Sequence, residues 1–239
     1  MTTFVLVHGA MHGSWCWDRV ATPLRDKGHH VETVDMPGRP GGPDIPGPDL
    51  ASYAATVTAA IDRCDEPVVL VAHSLGGIAA TLAAEARAEA LARIVFVNSL
   101  ILRDGEGALE TVLAPGSESV FMREGTLTIS SDGATIFVSS PEAAVEGFYH
   151  RCDPADAAEA VSRLVPEPLG PVSEIVRVTG SQFGAVPKTY IGSRDDRAVP
   201  WQLQREMSEQ AGADFIELDA DHSPFMSATD DLVAALAGL

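Results

Sequence analysis

Short runs rich in β-branched residues alternate along this chain with longer stretches that carry helical patterns. This order is typical of an α/β protein, in which a mostly parallel, doubly wound sheet has helices on both faces. The predicted strands are Phe4–His8, Val31–Asp35, Val68–Ala72, Ile94–Asn98, Lys188–Ile191 and Asp214–Leu218. The predicted helices are Trp17–Lys27, Leu50–Cys64, Leu75–Arg87, Trp201–Gln210 and Thr229–Gly238.

The alternation stops between about residues 102 and 187. Here we predict a β-hairpin turning on Asp132-Gly133, followed by two helical segments. The strands of the hairpin and then the helical segments are Thr126–Ile129, Thr135–Ser139, Pro141–Tyr149 and Pro154–Leu164. Inserted segments of this length often act as lids over active sites. We therefore predict a single domain with a core of residues 1–101 and 188–239 and an inserted cap of residues 102–187.

The composition limits the classes of partner that this chain can have. With 239 residues, of which 46% are hydrophobic and 21% charged, it belongs with soluble globular proteins. The formal net charge of −18 argues against binding to nucleic acid, because neutralising phosphates requires clustered Lys and Arg. The same charge argues against adsorption to anionic membranes. We expect a small-molecule partner and neither nucleic acid nor a membrane.

The cysteines and the N-terminal residues indicate the cellular compartment in which we expect this protein. Cys16, Cys64 and Cys152 lie at irregular spacing, which argues against a disulfide framework or a zinc site. We therefore expect reduced thiols in a cytoplasmic protein. The first residues lack a basic region and read as a strand rather than a signal peptide, and no apolar run is long enough for a transmembrane helix.

The segment Val-Val-Leu-Val-Ala-His-Ser-Leu-Gly-Gly at 68–77 joins a buried strand to a helix through a turn of small residues around Ser74. Such an elbow holds a serine in a strained conformation and needs small residues two positions to either side. Ala72 and Gly76 occupy these positions, which gives AxSxG instead of the usual GxSxG. The pattern predicts Ser74 as a nucleophile. A serine that only caps the following helix is the alternative, so the decision depends on its partners.

Two later loops offer these partners. Asp195 and Asp196 follow a predicted strand at its carboxyl end, and we favour Asp196 because we expect Asp195 to be solvated or to cap the next helix. His222 follows the last predicted strand, immediately before the final helix. The chain order Ser74, Asp196, His222 is the order expected for a hydrolase triad on this architecture.

The remaining histidines have less specific settings. We expect His8 and His73 to form local hydrogen bonds within glycine-flanked turns. We expect His12 to be an ordinary member of its loop.

An oxyanion hole requires backbone N–H groups that point at the developing negative charge. The loop His-Gly-Ala-Met-His-Gly-Ser-Trp-Cys-Trp at 8–17 is a small-residue turn after the first strand, and it can provide one donor. Leu75, which follows the nucleophile at a helix N-terminus, can provide the other.

Two segments resemble one family. Residues 4–17, Phe-Val-Leu-Val-His-Gly-Ala-Met-His-Gly-Ser-Trp-Cys-Trp, look like the opening of the plant methylesterase and hydroxynitrile lyase family of α/β-hydrolases and its bacterial esterase relatives. Residues 148–156 resemble that family's FYxxCxPxD motif, which lies outside the chemistry shared by all α/β-hydrolases. The resemblance covers nearly the whole chain, most loosely at 103–140. It implies the α/β-hydrolase fold, with the backbone N–H groups of Ala10 and Leu75 as the oxyanion hole and Asp196 as the acid. It also implies a homodimer as one assembly.

The family contains both esterases and cyanohydrin-cleaving lyases. The lyases carry a lysine directly after the catalytic histidine and a threonine after the first-strand histidine. This chain has Ser223 and Gly9 at these positions, so the resemblance favours ester hydrolysis. The alternatives are lyase-like C–C cleavage and a small-molecule sensor on the same fold.

We predict a serine hydrolase that cleaves a small, largely apolar ester through an acyl-enzyme, a chemistry that needs no metal or organic cofactor. Methyl esters, lactones and small aryl or alkyl esters all fit this prediction. The aromatic residues predicted to line an apolar pocket, unless they form plain cap core, are Trp15, Phe121, Phe137, Phe148 and Tyr149.

Overall fold

The computed structural model describes residues 1–112, 114 and 117–239. Its strands are β1 (Thr3–Val7), β2 (His30–Val34), β3 (Val68–His73), β4 (Leu91–Val97), β5 (Leu127–Ile129), β6 (Thr135–Val138), β7 (Glu167–Pro168), β8 (Lys188–Ser193) and β9 (Asp214–Leu218). Six of them form one sheet in the order β2-β1-β3-β4-β8-β9, and every pairing in it is parallel. The predicted α/β class and parallel sheet are therefore confirmed.

The α-helices lie between the strands and in the insertion. They are α1 (Asp18–Asp26), α2 (Leu50–Ile61), α3 (Gly76–Ala86), α4 (Ala108–Val112), α5 (Pro141–Ala144), α6 (Pro154–Arg163), α7 (Leu169–Ser173), α8 (Trp201–Gln210), α9 (Pro224–Ser227) and α10 (Thr229–Ala237). Within the described residues, no helix combines the length and apolar character needed to cross a membrane.

Each face of the central sheet packs against its own hydrophobic cluster, because buried side chains alternate along the strands. On one face, α1 and α10 cover side chains such as Phe4 and Val71. On the other face, α2, α3 and α8 cover side chains such as Val5 and Leu70. The sheet is thus buried on both sides, as expected for parallel strands joined by helices.

The segment between β4 and β8 departs from this alternation. It contains a separate antiparallel sheet, β5-β6-β7, together with α4 to α7 and a π-helical turn at Val145–Tyr149. The predicted hairpin is present, with Leu127 paired to Val138. The insertion also contributes to the hydrophobic cluster of the main sheet. Ala108 of α4 and Val172 of α7 are buried in that cluster, as are Val176, Phe183 and Val186 after α7. The predicted cap therefore shares part of its core with the main sheet.

Candidate active site

Ser74 lies between β3 and α3 in the sharp turn that the sequence predicts. Its φ of +51° is in the left-handed region, which is strained for a non-glycine residue. The turn brings the start of α3 close to the loop after β1, so that a Cβ on Gly76 would collide with the carbonyl oxygen of His8. Ala72 is completely buried, and its methyl group is accommodated in the AxSxG form of the elbow. This geometry presents the Ser74 hydroxyl at the carboxyl edge of the sheet.

His222 connects Ser74 to Asp196. Its Nε2 lies 2.9 Å from Ser74 Oγ, and its Nδ1 lies 2.8 Å from Asp196 Oδ2. With the proton on Nδ1 donated to the carboxylate, Nε2 is free to accept the hydroxyl proton of Ser74. The three residues follow β3, β8 and β9, and parallel strands end at one edge of their sheet. The structure therefore brings together the three side chains that the sequence analysis selected.

Asp196 is held by its own loop. Its second oxygen, Oδ1, accepts hydrogen bonds from the backbone N–H groups of Ala198 at 2.8 Å and Val199 at 2.9 Å. These donors hold in place a carboxyl group that is only 6% exposed. Asp195 instead lies at the surface and forms an ion pair with Arg151 at 2.8 Å. The choice of Asp196 over Asp195 thus agrees with the geometry.

Two backbone N–H groups adjoin Ser74. Ala10 and Leu75 line the same cavity as Ser74. Among the residues that the structure describes, neither N–H donates to a protein acceptor. Two unpaired donors beside a candidate nucleophile are what an oxyanion hole requires.

A cavity of about 100 Å³ opens at Ser74 between the sheet and the insertion. Its surface is mostly apolar. The lining residues from the insertion include Ala108, Leu109, Val112, Phe121, Leu127, Ile136, Phe148, Glu167 and Val172. Phe148 also packs over His222, with ring centroids 5.6 Å apart and planes 29° apart.

Of the five aromatic residues predicted for the pocket, Phe121 and Phe148 line this cavity, whereas Trp15, Phe137 and Tyr149 lie outside its lining. Side chains alternate across a strand, so Ile136 rather than Phe137 faces the cavity from β6. Tyr149 directs its hydroxyl to His12 Nε2 at 2.6 Å. Trp15 packs under the guanidinium of Arg163, 4.6 Å from its ring centre.

Buried neutral histidines surround the triad. Burial lowers the pKa of His12 to about 3, and it holds the pKa of His73 well below its ordinary value. His73 Nε2 donates to the carbonyl oxygen of His222 at 2.8 Å, so the expectation of a local hydrogen bond is wrong. For His8 that expectation holds, since Nδ1 lies 2.8 Å from Gly9 O. Burial also lowers the pKa of His8 to about 3.

Several polar residues that support the site were missed at the sequence level. Asn98, at the end of β4, has a φ of +45° and donates through Nδ2 to Ser193 Oγ and to the carbonyl oxygen of Asp221, both at 2.9 Å. The Asp221 carboxylate accepts from Ser223 N at 3.0 Å and from the insertion residue Arg151 N at 2.9 Å. These contacts fix the loop that carries His222. The sequence feature that could have identified these residues is a polar side chain at the end of a predicted strand.

Within the described residues, no cluster of three or more His, Cys, Asp or Glu side chains is arranged to hold a metal ion. The site itself presents the serine, the histidine and the carboxylate, with the two N–H groups beside them.

Comparisons with known proteins identify the family of this chain. Residues 4–236 match the model of the alpha/beta hydrolase family. Methylesterase 7 of Arabidopsis thaliana is 30% identical over 248 residues, covering 98% of this chain and 94% of that protein. Putative methylesterase 13, chloroplastic, of the same plant is 28% identical over 96% of this chain. The chain spans only 54% of that relative's length.

Solved structures share the fold over nearly the full chain. A polyneuridine aldehyde esterase superimposes with a TM-score of 0.89 at 22% identity, covering 100% of this chain and 98% of that one. A pyrethroid hydrolase from Sphingobium faniae JZ-2 gives a TM-score of 0.86 at 23% identity, with 99% and 96% covered. At these identities, the likeness is one of fold.

Proposed function

The chain belongs to the alpha/beta hydrolase family, and from this premise we propose that it hydrolyses small, largely apolar carboxylic esters with Ser74 as the nucleophile. Its methylesterase and esterase relatives support a carboxylesterase activity. The observation that supports Ser74 as the nucleophile is the continuous hydrogen-bond chain from Asp196 through His222 to Ser74.

The proposed reaction proceeds through an acyl-enzyme. Ser74 Oγ attacks the ester carbonyl carbon while His222 Nε2 takes the hydroxyl proton, and the N–H groups of Ala10 and Leu75 stabilise the resulting oxyanion. The C–O bond to the leaving alcohol then breaks as His222 returns the proton to that oxygen. A water molecule, deprotonated by the same histidine, attacks the acyl carbon. The bond from this carbon to Ser74 Oγ then breaks as His222 returns the proton to that oxygen, and the carboxylic acid is released. Asp196 keeps the proton on Nδ1 throughout.

Two positions support hydrolysis over cyanohydrin cleavage. A Cβ on Gly9 would lie 2.7 Å from both His73 Nδ1 and Ser74 Cβ, so the threonine of the lyases has no room at this position. The residue after His222 is Ser223, which is completely buried and carries no charge to stabilise a departing cyanide.

The cavity supports a short acyl group. Its volume of about 100 Å³ corresponds to roughly three water molecules. Leu100, Val199 and Phe121 contribute apolar surface to it. An acetyl or propionyl group fits such a space.

Turnover of p-nitrophenyl acetate tests the proposal. Native protein is expected to release p-nitrophenol continuously, and Ser74→Ala is expected to fall to near background. Ser162→Ala, at an exposed position on α6, is the matched control and keeps native turnover. A fluorophosphonate probe is expected to label the Ser74 peptide, as detected by mass spectrometry. Equal turnover in native protein and Ser74→Ala would refute the assignment. A single stoichiometric turnover on every ester tried would instead favour the sensor alternative.

A further inference from the structure

The loop that carries the Ala10 N–H is held from the insertion. Met11 N donates to Glu167 Oε2 at 2.7 Å, and Val165 N donates to the carbonyl oxygen of Met11 at 3.0 Å. Both partners lie at β7 or just before it, more than a hundred residues from the loop in the sequence. Met11 has a φ of +63°, a left-handed conformation that a methionine adopts only when its surroundings impose it. The two hydrogen bonds from the insertion supply that constraint.

The Glu167 carboxylate is almost completely buried, and both of its oxygens accept hydrogen bonds. Arg39 Nη2 forms an ion pair with it, and both side chains are 1% exposed. Tyr53 Oη donates to its Oε1 at 2.8 Å. Arg39 also donates through Nε to the carbonyl oxygen of His12 at 2.7 Å, so the pair holds the loop at a second point.

Neutralisation by Arg39 matters for the chemistry. A lone buried carboxylate near Ser74 would repel the oxyanion that forms during acyl transfer. Paired with the guanidinium, Glu167 offers Met11 a strong acceptor while the pair adds no net charge. Glu167 also lines the cavity at Ser74, so it lies close to the space in which the reaction is proposed to occur.

We propose that Glu167 is a positioning residue for the oxyanion hole. By accepting the Met11 N–H, it fixes the Ala10–Met11 peptide, which is joined through Ala10 Cα to the Gly9–Ala10 peptide that carries the Ala10 N–H. Displacement of Met11 N moves Ala10 Cα and changes the backbone dihedrals of Ala10, and this turns the Ala10 N–H away from the oxyanion. This inference rests on the proposed function, because it assigns Glu167 a part in the same hydrolysis.

Three substitutions at Glu167 and one control test this inference. Glu167→Leu removes the acceptor. Glu167→Asp keeps the charge but draws the carboxylate away from Met11, and Glu167→Gln keeps an oxygen at the native distance. The control is Glu174→Leu, at an exposed position on the same segment. Steady-state turnover of p-nitrophenyl acetate is normalised to the active sites titrated with the fluorophosphonate probe.

We expect kcat to fall about 10²-fold in Glu167→Leu, as misplacement by about 1 Å can cause, with KM nearly unchanged. Glu167→Asp is also expected to lose activity, Glu167→Gln to recover most of it, and Glu174→Leu to match native protein. Affinity for a trifluoromethyl ketone, which binds as an oxyanion, is expected to fall in parallel with kcat. A purely structural role would lower the titrated active-site fraction and leave the other two quantities unchanged.

A kcat per titrated site within about twofold of native in folded Glu167→Leu would overturn the inference, as would a loss confined to KM. If Glu167→Leu does not fold, native activity in Glu167→Asp would overturn it equally. Ser74→Ala separates the two proposals. Full turnover in that variant refutes the proposed function, whereas an inactive Ser74→Ala beside a fully active Glu167→Leu refutes only the role of Glu167.

Discussion

The side-chain amide of Asn98 donates a hydrogen bond to the carbonyl oxygen of Asp221 at 2.9 Å. This contact ties the end of β4 to the loop that carries His222. The same amide reaches Ser193 Oγ at the end of β8, just before the Asp196 loop. One fully buried side chain therefore links the strand ends from which two members of the triad emerge.

Replacing Asn98 with Ala is expected to lower both stability and turnover. The change leaves the Asp221 carbonyl and the Ser193 hydroxyl buried without this donor, and each unsatisfied buried group costs about 1–3 kcal/mol. Urea unfolding measures the loss of stability, and kcat per titrated active site measures the looser triad. Ser139→Ala, at an exposed position, provides the baseline. A variant with native unfolding free energy and native kcat would contradict the linking role of Asn98.

Replacing Phe148 with Ala is expected to shift specificity toward longer acyl chains. Phe148 is 3% exposed, lines the cavity and covers His222, so its removal enlarges the space beside Ser74. The ratio of kcat/KM for p-nitrophenyl octanoate to that for the acetate is expected to rise about tenfold, since a methylene in an apolar pocket contributes about 1–3 kcal/mol.

Phe137→Ala is the matched control for this test, because Phe137 lies outside the cavity lining. It is expected to keep the native ratio of octanoate to acetate hydrolysis. Equal shifts in the two variants would show that acyl-chain preference is not set by the Phe148 side of the cavity.

Stability is expected to fall as the pH drops from about 6.5 toward 3. Burial lowers the pKa of His8 and His12 to about 3 in the folded protein, from 6.5. His73 is shifted in the same direction. Because these pKa values are lower in the folded state, the unfolded chain binds more protons across this window, and acid favours unfolding. Three such groups give a slope of up to about 4 kcal/mol per pH unit.

Urea unfolding at pH 7.5, 6 and 5 measures this slope. His12→Gln is expected to unfold with a shallower pH dependence than native protein, whereas His30→Gln, at an exposed position, keeps the native slope. An unfolding free energy that stays constant from pH 7.5 to 5 would contradict the presence of buried neutral histidines.

Local patterns were sufficient to predict the sheet and the triad. The elbow around Ser74 is a continuous segment, and its chemistry depends on neighbours one or two residues away. Asp196 and His222 could be selected because each follows a strand, and parallel strands end at one edge. Short runs of β-branched residues placed all six strands of the central sheet to within a few residues, since burial on both faces demands apolar side chains throughout.

The lining of the cavity was less predictable. Alternation along β6 indicates that Ile136 and Phe137 face opposite sides, but it does not say which side meets the core. That depends on how the small antiparallel sheet packs against the rest of the protein, which follows from contacts between distant segments. The large aromatic side chain was the more obvious candidate, and the smaller Ile136 occupies the cavity instead.

The three residues of the proposed triad therefore lie in short sequence motifs, since each motif forms its own turn at a strand end. The residues that hold this triad in place do not lie in such motifs. Asn98 and Glu167 carry no motif, and Glu167 reaches its partner Met11 across 156 residues of sequence. Such contacts exist only after the insertion has packed onto the sheet, because a buried hydrogen bond between distant residues is defined by packing rather than by local chain geometry.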